Sequence, residues 1–153
     1  MTVDDLSTTN SGQTTSREKA SFINLAIVEN KAGEVLMIRR VNKEKGGDGS
    51  TLEWAFPGGK QQLDQTREDS LARDVLDETG YEVKSVRQLH IRMHPQFPVM
   101  VAYHLCRLTK DEPTSAPSQT HEIEEVRWIP TSEIKHLIKT NLDPAVAQVL
   151  RIS

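Results

Sequence analysis

Apolar residues along this chain fall first into short β-like runs, then into one helical stripe, then into strands again. Phe22-Ile23-Asn24-Leu25-Ala26-Ile27-Val28 is rich in strand formers, and Glu29-Asn30-Lys31-Ala32-Gly33 carries turn residues. Glu34 to Arg40 reads as a second strand, which predicts a hairpin. A polar loop is expected from Val41 to Thr51, where Gly46-Gly47-Asp48-Gly49 allows unusual backbone angles and implies mobility. Trp54-Ala55-Phe56-Pro57 then leads into Gly58-Gly59.

The period changes beyond that turn. Leu71, Ala72, Val75 and Leu76 line one side of a helix, while Arg67, Ser70, Asp74, Asp77 and Glu78 gather on another. Thr66 is placed to cap its start, with Asp69 three residues on, and Gly80 stands where a helix closes. Val83 to Met93 reads as a strand, His94 to Pro98 as a break, and Val99 to Leu108 as the strongest strand of the chain. A Pro/Ser/Thr-rich loop spans Thr109 to Thr120, Glu124 to Ile129 makes a last strand, and Pro130 ends it. Thr131-Ser132-Glu133 opens a short helix, and Asp143-Pro144 supplies cap and first residue for a terminal helix through about Arg151. The pattern predicts an α+β domain, a mixed β-sheet with helices packed against it.

Length and composition limit the reading. With 153 residues, one domain is expected, folded from about Ala20 and running through 153. Residues 1–19, rich in Ser, Thr, Asp and Asn, read as a disordered tail without the features of a signal peptide. A net charge of −3 argues against a general nucleic-acid binder. No apolar run approaches the ~20 residues that cross a bilayer. The one cysteine, Cys106, cannot form an internal disulfide, which suits a reducing cytoplasm.

The chemistry concentrates in Arg73-Asp74-Val75-Leu76-Asp77-Glu78-Thr79-Gly80. Its three carboxylates fall at i, i+3 and i+4 and project from one edge of the helix. Like charges at that spacing cost about 0.2–0.5 kcal/mol per pair, a sign that a multivalent cation reverses. Three acids on a helix are most simply a solvated face. Here, however, they crowd the C-terminal end, where the helix dipole disfavours negative charge. The cluster therefore points to a Mg²⁺ site beside a glycine turn. Arg73 stands four residues before Asp77, within reach of an ion pair.

Other motifs fail. Gly58-Gly59-Lys60 runs into Gln61 with no glycine five residues before Gly59, so it is not a P-loop. The five histidines lack zinc spacing, Cys106 in mid-strand reads as a buried filler, and no nucleophile elbow supports a Ser-His-Asp triad.

Gly59, Arg73, Asp74, Asp77, Glu78, Gly80 and Tyr81 together resemble the Nudix box of the Nudix hydrolases, including the MutT-like nucleotide pyrophosphohydrolases, with no gap in the spacing. The flanks, Trp54 to Lys60 and Glu122 to Pro130, are similar too. The resemblance implies the Nudix fold, a mixed sheet sandwiched between helices, and Mg²⁺-dependent cleavage (Mn²⁺ as a substitute) of a nucleoside diphosphate linked to a further group. It implies Gly59, Asp77 and Glu78 as metal ligands, Asp74 as ligand or base, and Arg73 as the residue that orients the carboxylates. An assisting acid from outside the box is expected at Glu122, with Glu124 and Glu125 as competitors.

Substrate contacts are expected from Arg39 or Arg40 on phosphate and from Phe97 or Tyr103 stacking on a base, against the plainer readings of surface pair and core. Arg92-Met93-His94-Pro95 resembles a substrate-loop segment of MutT-like enzymes. The chain departs from the box at Gln65, where the family has Glu, and at Asp74 and Asp77, each one methylene shorter than Glu. Gln65 is expected to keep a hydrogen bond without the charge. These departures leave a second expectation, a Nudix-fold nucleotide-binding or regulatory module with weak or no catalysis. Either reading expects a small nucleotide partner, no nucleic-acid duplex, no membrane, and a monomer or homodimer.

Overall fold

The structure, a computed structural model, describes residues 21–45, 51–95, 97–118, 121–138 and 142–152. The expected disordered tail over 1–19 and the Gly46–Gly49 run lie outside them. Seven strands form: β1 (Ser21–Val28), β2 (Glu34–Lys45), β3 (Thr51–Ala55), β4 (Gly58–Lys60), β5 (Val83–Met93), β6 (Val99–Leu108) and β7 (Ile123–Pro130). The helices are α1 (Arg67–Thr79), α2 (Ile134–Leu137), which follows a 3₁₀ turn at Thr131–Glu133, and α3 (Pro144–Val149).

The strands divide between two sheets, ordered β4-β1-β6-β5 and β3-β2-β7. Among the described residues only the β1–β6 pair is parallel. The expected β1–β2 hairpin is reduced to a single bridge, Glu29 to Val35, beyond the Asn30–Gly33 turn. Both strands are apolar on both faces, so each finds two other neighbours: β1 lies between β4 and β6, and β2 between β3 and β7.

Alternation along β1 and β2 sends successive residues to opposite sides of the sheets. Ile27, Val35 and Met37 enter one cluster with Ile134, Val146 and Leu150 from α2, α3 and the turn after α3. Ala26, Val28 and Leu36 enter the other with Leu71 and Val75 of α1. Helices thus cover both sides, the expected sandwich. Leu71 and Val75 are fully buried, each contributing about 1.5–3 kcal/mol.

The caps of α1 form as expected. Thr66 Oγ1 accepts from Asp69 N at 3.1 Å, and Gly80 takes the left-handed conformation at φ +81°, its N–H donating to Leu76 O. Two boundaries differ from expectation. The polar stretch from Val41 to Lys45 continues β2 instead of opening a loop, because ladder pairing to Thr51 and Leu52 resumes after an irregularity following Arg39. The terminal helix stops at Val149, and Arg151 adopts φ +61°, which ends helical geometry.

Beneath the turn that leads into α1 lies a buried polar network. His104, its pKa lowered by burial, has Nδ1 3.4 Å from Ser85 Oγ and Nε2 3.2 Å from Asn24 Oδ1. Asn24 Nδ2 donates to Gln61 Oε1 at 2.8 Å, and Gln61 Nε2 donates to the carbonyls of Gln62 and Gln65. No local pattern in the sequence marks this network, which joins β6 and β1 to the segment between β4 and α1.

Candidate active site

The site forms where β4 meets the C-terminal half of α1. Gly58 N–H donates to Glu78 Oε1 at 2.9 Å, tying the glycine turn to the helix. Gly58 has φ +154°, and a Cβ there would lie 2.0 Å from Asn24 O of β1, so only glycine fits. Gly59 is crowded by a side chain instead: a Cβ there would lie 2.7 Å from Asp74 Oδ2. The box spacing thus has a geometric cause: the turn must lie flat against both the sheet and the acidic face of α1.

A cavity of about 670 Å³ opens here. Arg40, Gly58, Gly59, Lys60, Glu78 and Glu122 are the glycine-turn and charged residues of its wall. Phe97, Val99, Val101, Tyr103, Ile138 and Leu142 line the apolar remainder, with His94 and Asp143 among them. Neither Asp74 nor Asp77 is on the cavity wall; Asp74 lies behind Gly59.

The carboxylates are strained electrostatically. Burial raises Glu78 to about 8, against the opposing hydrogen bond from Gly58; the charges of Asp74 and Glu122 raise it further, and Arg40 lowers it. Burial raises Asp74 to about 6, with Asp77 adding to the rise and Arg73 opposing it. Asp74 Oδ2 is buried with no hydrogen-bond partner. An orphaned carboxylate oxygen beside further acids fits a divalent cation, since bound positive charge offsets both the desolvation and the repulsion. Among the described residues, however, no three His, Cys, Asp or Glu side chains already form a metal cage. Glu78 in particular is turned to the Gly58 N–H.

Several expected residues find definite places. Arg39 and Arg40, successive on β2, point to opposite faces. Arg39 pairs with Glu53 at 2.9 Å, Glu125 at 3.6 Å and Glu124 at 3.8 Å, and lies over the Trp54 ring. Arg40 is the one at the cavity. Arg39 thus engages Glu124 and Glu125, while Glu122 lines the cavity and its charge acts on Glu78. Arg73 is exposed and, among the described residues, makes no ion pair with Asp77; it reaches Asp74 only through space. Gln65 loses the side-chain hydrogen bond expected of it, its Oε1 being buried without a partner, while its backbone carbonyl accepts from Gln61.

Tyr103 is largely buried yet lines the cavity, and Phe97 stacks edge-on against His94 with centroids 5.1 Å apart. Cys106 is buried, its thiol pushed up to about 12, a filler as expected.

Sequence reasoning missed a further acid on the cavity wall. Asp143 caps α3 through Oδ1, which accepts from Ala145 N and Val146 N. Its Oδ2 lies 2.7 Å from His90 Nδ1 and 3.1 Å from Arg92 Nε. Arg92 also donates to the Tyr103 hydroxyl at 3.3 Å. Only the cap was legible, because the partners lie some fifty residues away on β5. Lys60, which the sequence marks only as part of the glycine turn, also lines the cavity.

Comparison with known proteins agrees with this fold. A family model described as the NUDIX domain matches residues 23–150. An RNA pyrophosphohydrolase of Pseudomonas paraeruginosa is 31% identical over 127 residues, covering 67% of this chain and 72% of that protein. A CMP-5'-(N-acetyl-N-hydroxy-3-aminopropyl)phosphonate hydrolase of Streptomyces rubellomurinus is 30% identical over 90 residues, 57% of this chain. The match spans only 42% of that relative's length. Among solved structures, a NUDIX hydrolase from Nitrosomonas europaea superposes with a TM-score of 0.65 over 87% of both chains at 16% identity, a likeness of fold. No helix among the described residues is long and apolar enough to cross a membrane.

Proposed function

This chain belongs to the Nudix family, and from that premise we propose that it is a Mg²⁺-dependent hydrolase of the diphosphate linkage in a nucleoside diphosphate derivative. The observation that carries the reading is the orphaned, buried Asp74 oxygen beside Glu78 at the glycine turn. The Gly59 carbonyl and the carboxylates of Asp74, Asp77, Glu78 and Glu122 would hold the cation. When bound, it supplies Lewis-acid polarisation of a phosphoryl oxygen and a more acidic water.

The remaining work falls to the chain. Arg40 and Lys60, both on the cavity wall, supply positive charge for phosphate. Asp74, against Gly59, would serve as a ligand or as the base that accepts a proton from the attacking water. Arg73 tempers its charge from outside. The apolar end takes the base, with Phe97 and His94 as its aromatic edge. Tyr103 accepts from Arg92, so its own O–H hydrogen is left to donate to an acceptor on the substrate.

The test is turnover of a panel of nucleoside triphosphates and nucleoside diphosphate derivatives with Mg²⁺, then with EDTA. Steady release that EDTA abolishes is expected, and no release on any substrate would overturn the reading. A second reading, a nucleotide-binding module without catalysis, is favoured by the lack of a ready-made cage among the described residues. It predicts thermal stabilisation by nucleotide with no product formed.

A further inference from the structure

Helix α1 ends on the residues that carry the site, yet its last turn holds no basic side chain to answer the C-terminal dipole. The loop after β6 supplies the donors instead. Thr114 N–H donates to Gly80 O at 2.8 Å, and Ser118 N–H donates to Asp77 O at 2.8 Å. Ser118 Oγ donates to that same carbonyl at 3.3 Å. The loop also lies tight against the helix end, since a Cβ on Gly80 would stand 2.2 Å from Ser115 O.

Two features set Ser118 apart from an ordinary cap. The carbonyl it holds belongs to Asp77, one of the site carboxylates, next to Glu78. Four residues further along the chain stands Glu122, whose carbonyl is fixed by Val41 N at 3.0 Å and whose charge acts on Glu78. The loop therefore links both acid-bearing elements of the site, and Ser118 is its attachment point on the helix.

We propose that Ser118 is a positioning residue for the metal site: its two hydrogen bonds to the Asp77 carbonyl hold Asp77 and Glu78 where a divalent cation needs them. The proposal rests on the metal reading above. Residues that orient metal ligands change affinity by about 10–100-fold when lost.

Mn²⁺ binding without substrate, followed by electron paramagnetic resonance, separates the two claims. Ser118→Ala removes the hydroxyl donor, Ser118→Pro removes both donors, and Ser118→Thr keeps both. The Kd is expected to rise several-fold in Ser118→Ala and about 10-fold or more in Ser118→Pro, and to return to the starting value in Ser118→Thr. Thermal melts of the same samples confirm that each protein is folded. If Ser118→Pro fails to fold, the Ala and Thr variants decide. Unchanged Mn²⁺ affinity in Ser118→Ala, or a Thr variant as weak as Ala, would overturn the positioning role while leaving the metal site standing. A starting protein that binds no Mn²⁺ would overturn the metal reading and this proposal with it.

Discussion

Glu78→Gln is expected to lower turnover by roughly 10²–10⁴-fold while leaving a folded protein. The amide keeps the side chain's length and its acceptor for the Gly58 N–H, so the turn stays tied to α1. What it removes is a negative charge that the fold itself does not need. The free carboxyl is raised from 4.5 to about 8, so the folded state binds more protons than the unfolded chain between those values. Metal-free stability is therefore greatest below about 4.5 as far as this group is concerned, and it is lost as pH rises through about 8. Denaturant melts of the metal-free protein should show that decline, and Glu78→Gln should flatten it. A group that costs stability as a carboxylate yet is required for turnover is the pattern expected of a site built for a cation.

Gly58 and Gly59 are expected to separate folding from function. In Gly58→Ala the new methyl meets the Asn24 carbonyl and the Leu25 Cα, backbone atoms of β1 that cannot move aside, at φ +154°. A loss above about 4 kcal/mol is expected, read as a collapse of soluble yield or a large drop in Tm. In Gly59→Ala the methyl meets the Asp74 carboxyl, the end of a side chain that can rotate away. Stability should change by about 1 kcal/mol or less, while turnover falls about 10–100-fold because Asp74 is displaced. Melting curves and rates on the two variants check this. Equal losses of stability would show that the Asp74 contact with Gly59 matters only to packing.

The sequence was most legible where one element dictated its own geometry. Thr66, Gly80 and the apolar stripe of Leu71 and Val75 defined α1, because caps and period are local. Asp74, Asp77 and Glu78 were recognisable for the same reason. Strand partners were less legible: β1 and β2 looked like a hairpin, but apolar residues on both faces of each strand allow other neighbours, and ladder pairing left no mark on the polar Val41–Lys45 stretch. Choosing Arg40 over Arg39, and Glu122 over Glu124 and Glu125, needed the register of β2 against β7, where Arg39 lies opposite Glu125 and Arg40 opposite Ile123. The Asp143–Arg92–Tyr103 cluster and the Ser118 contact join residues far apart in the chain, and neither has a sequence signature.

Whether water attacks a phosphorus of a diphosphate linkage at this site is decided by running the reaction in ¹⁸O-labelled water with Mg²⁺ and identifying the products by mass spectrometry. Cleavage of a nucleoside diphosphate derivative between its phosphates is expected, with one ¹⁸O in a phosphate group of one product, and with loss of both products with EDTA or in Glu78→Gln. Unlabelled phosphate groups, or labelled product that persists in Glu78→Gln, would contradict it.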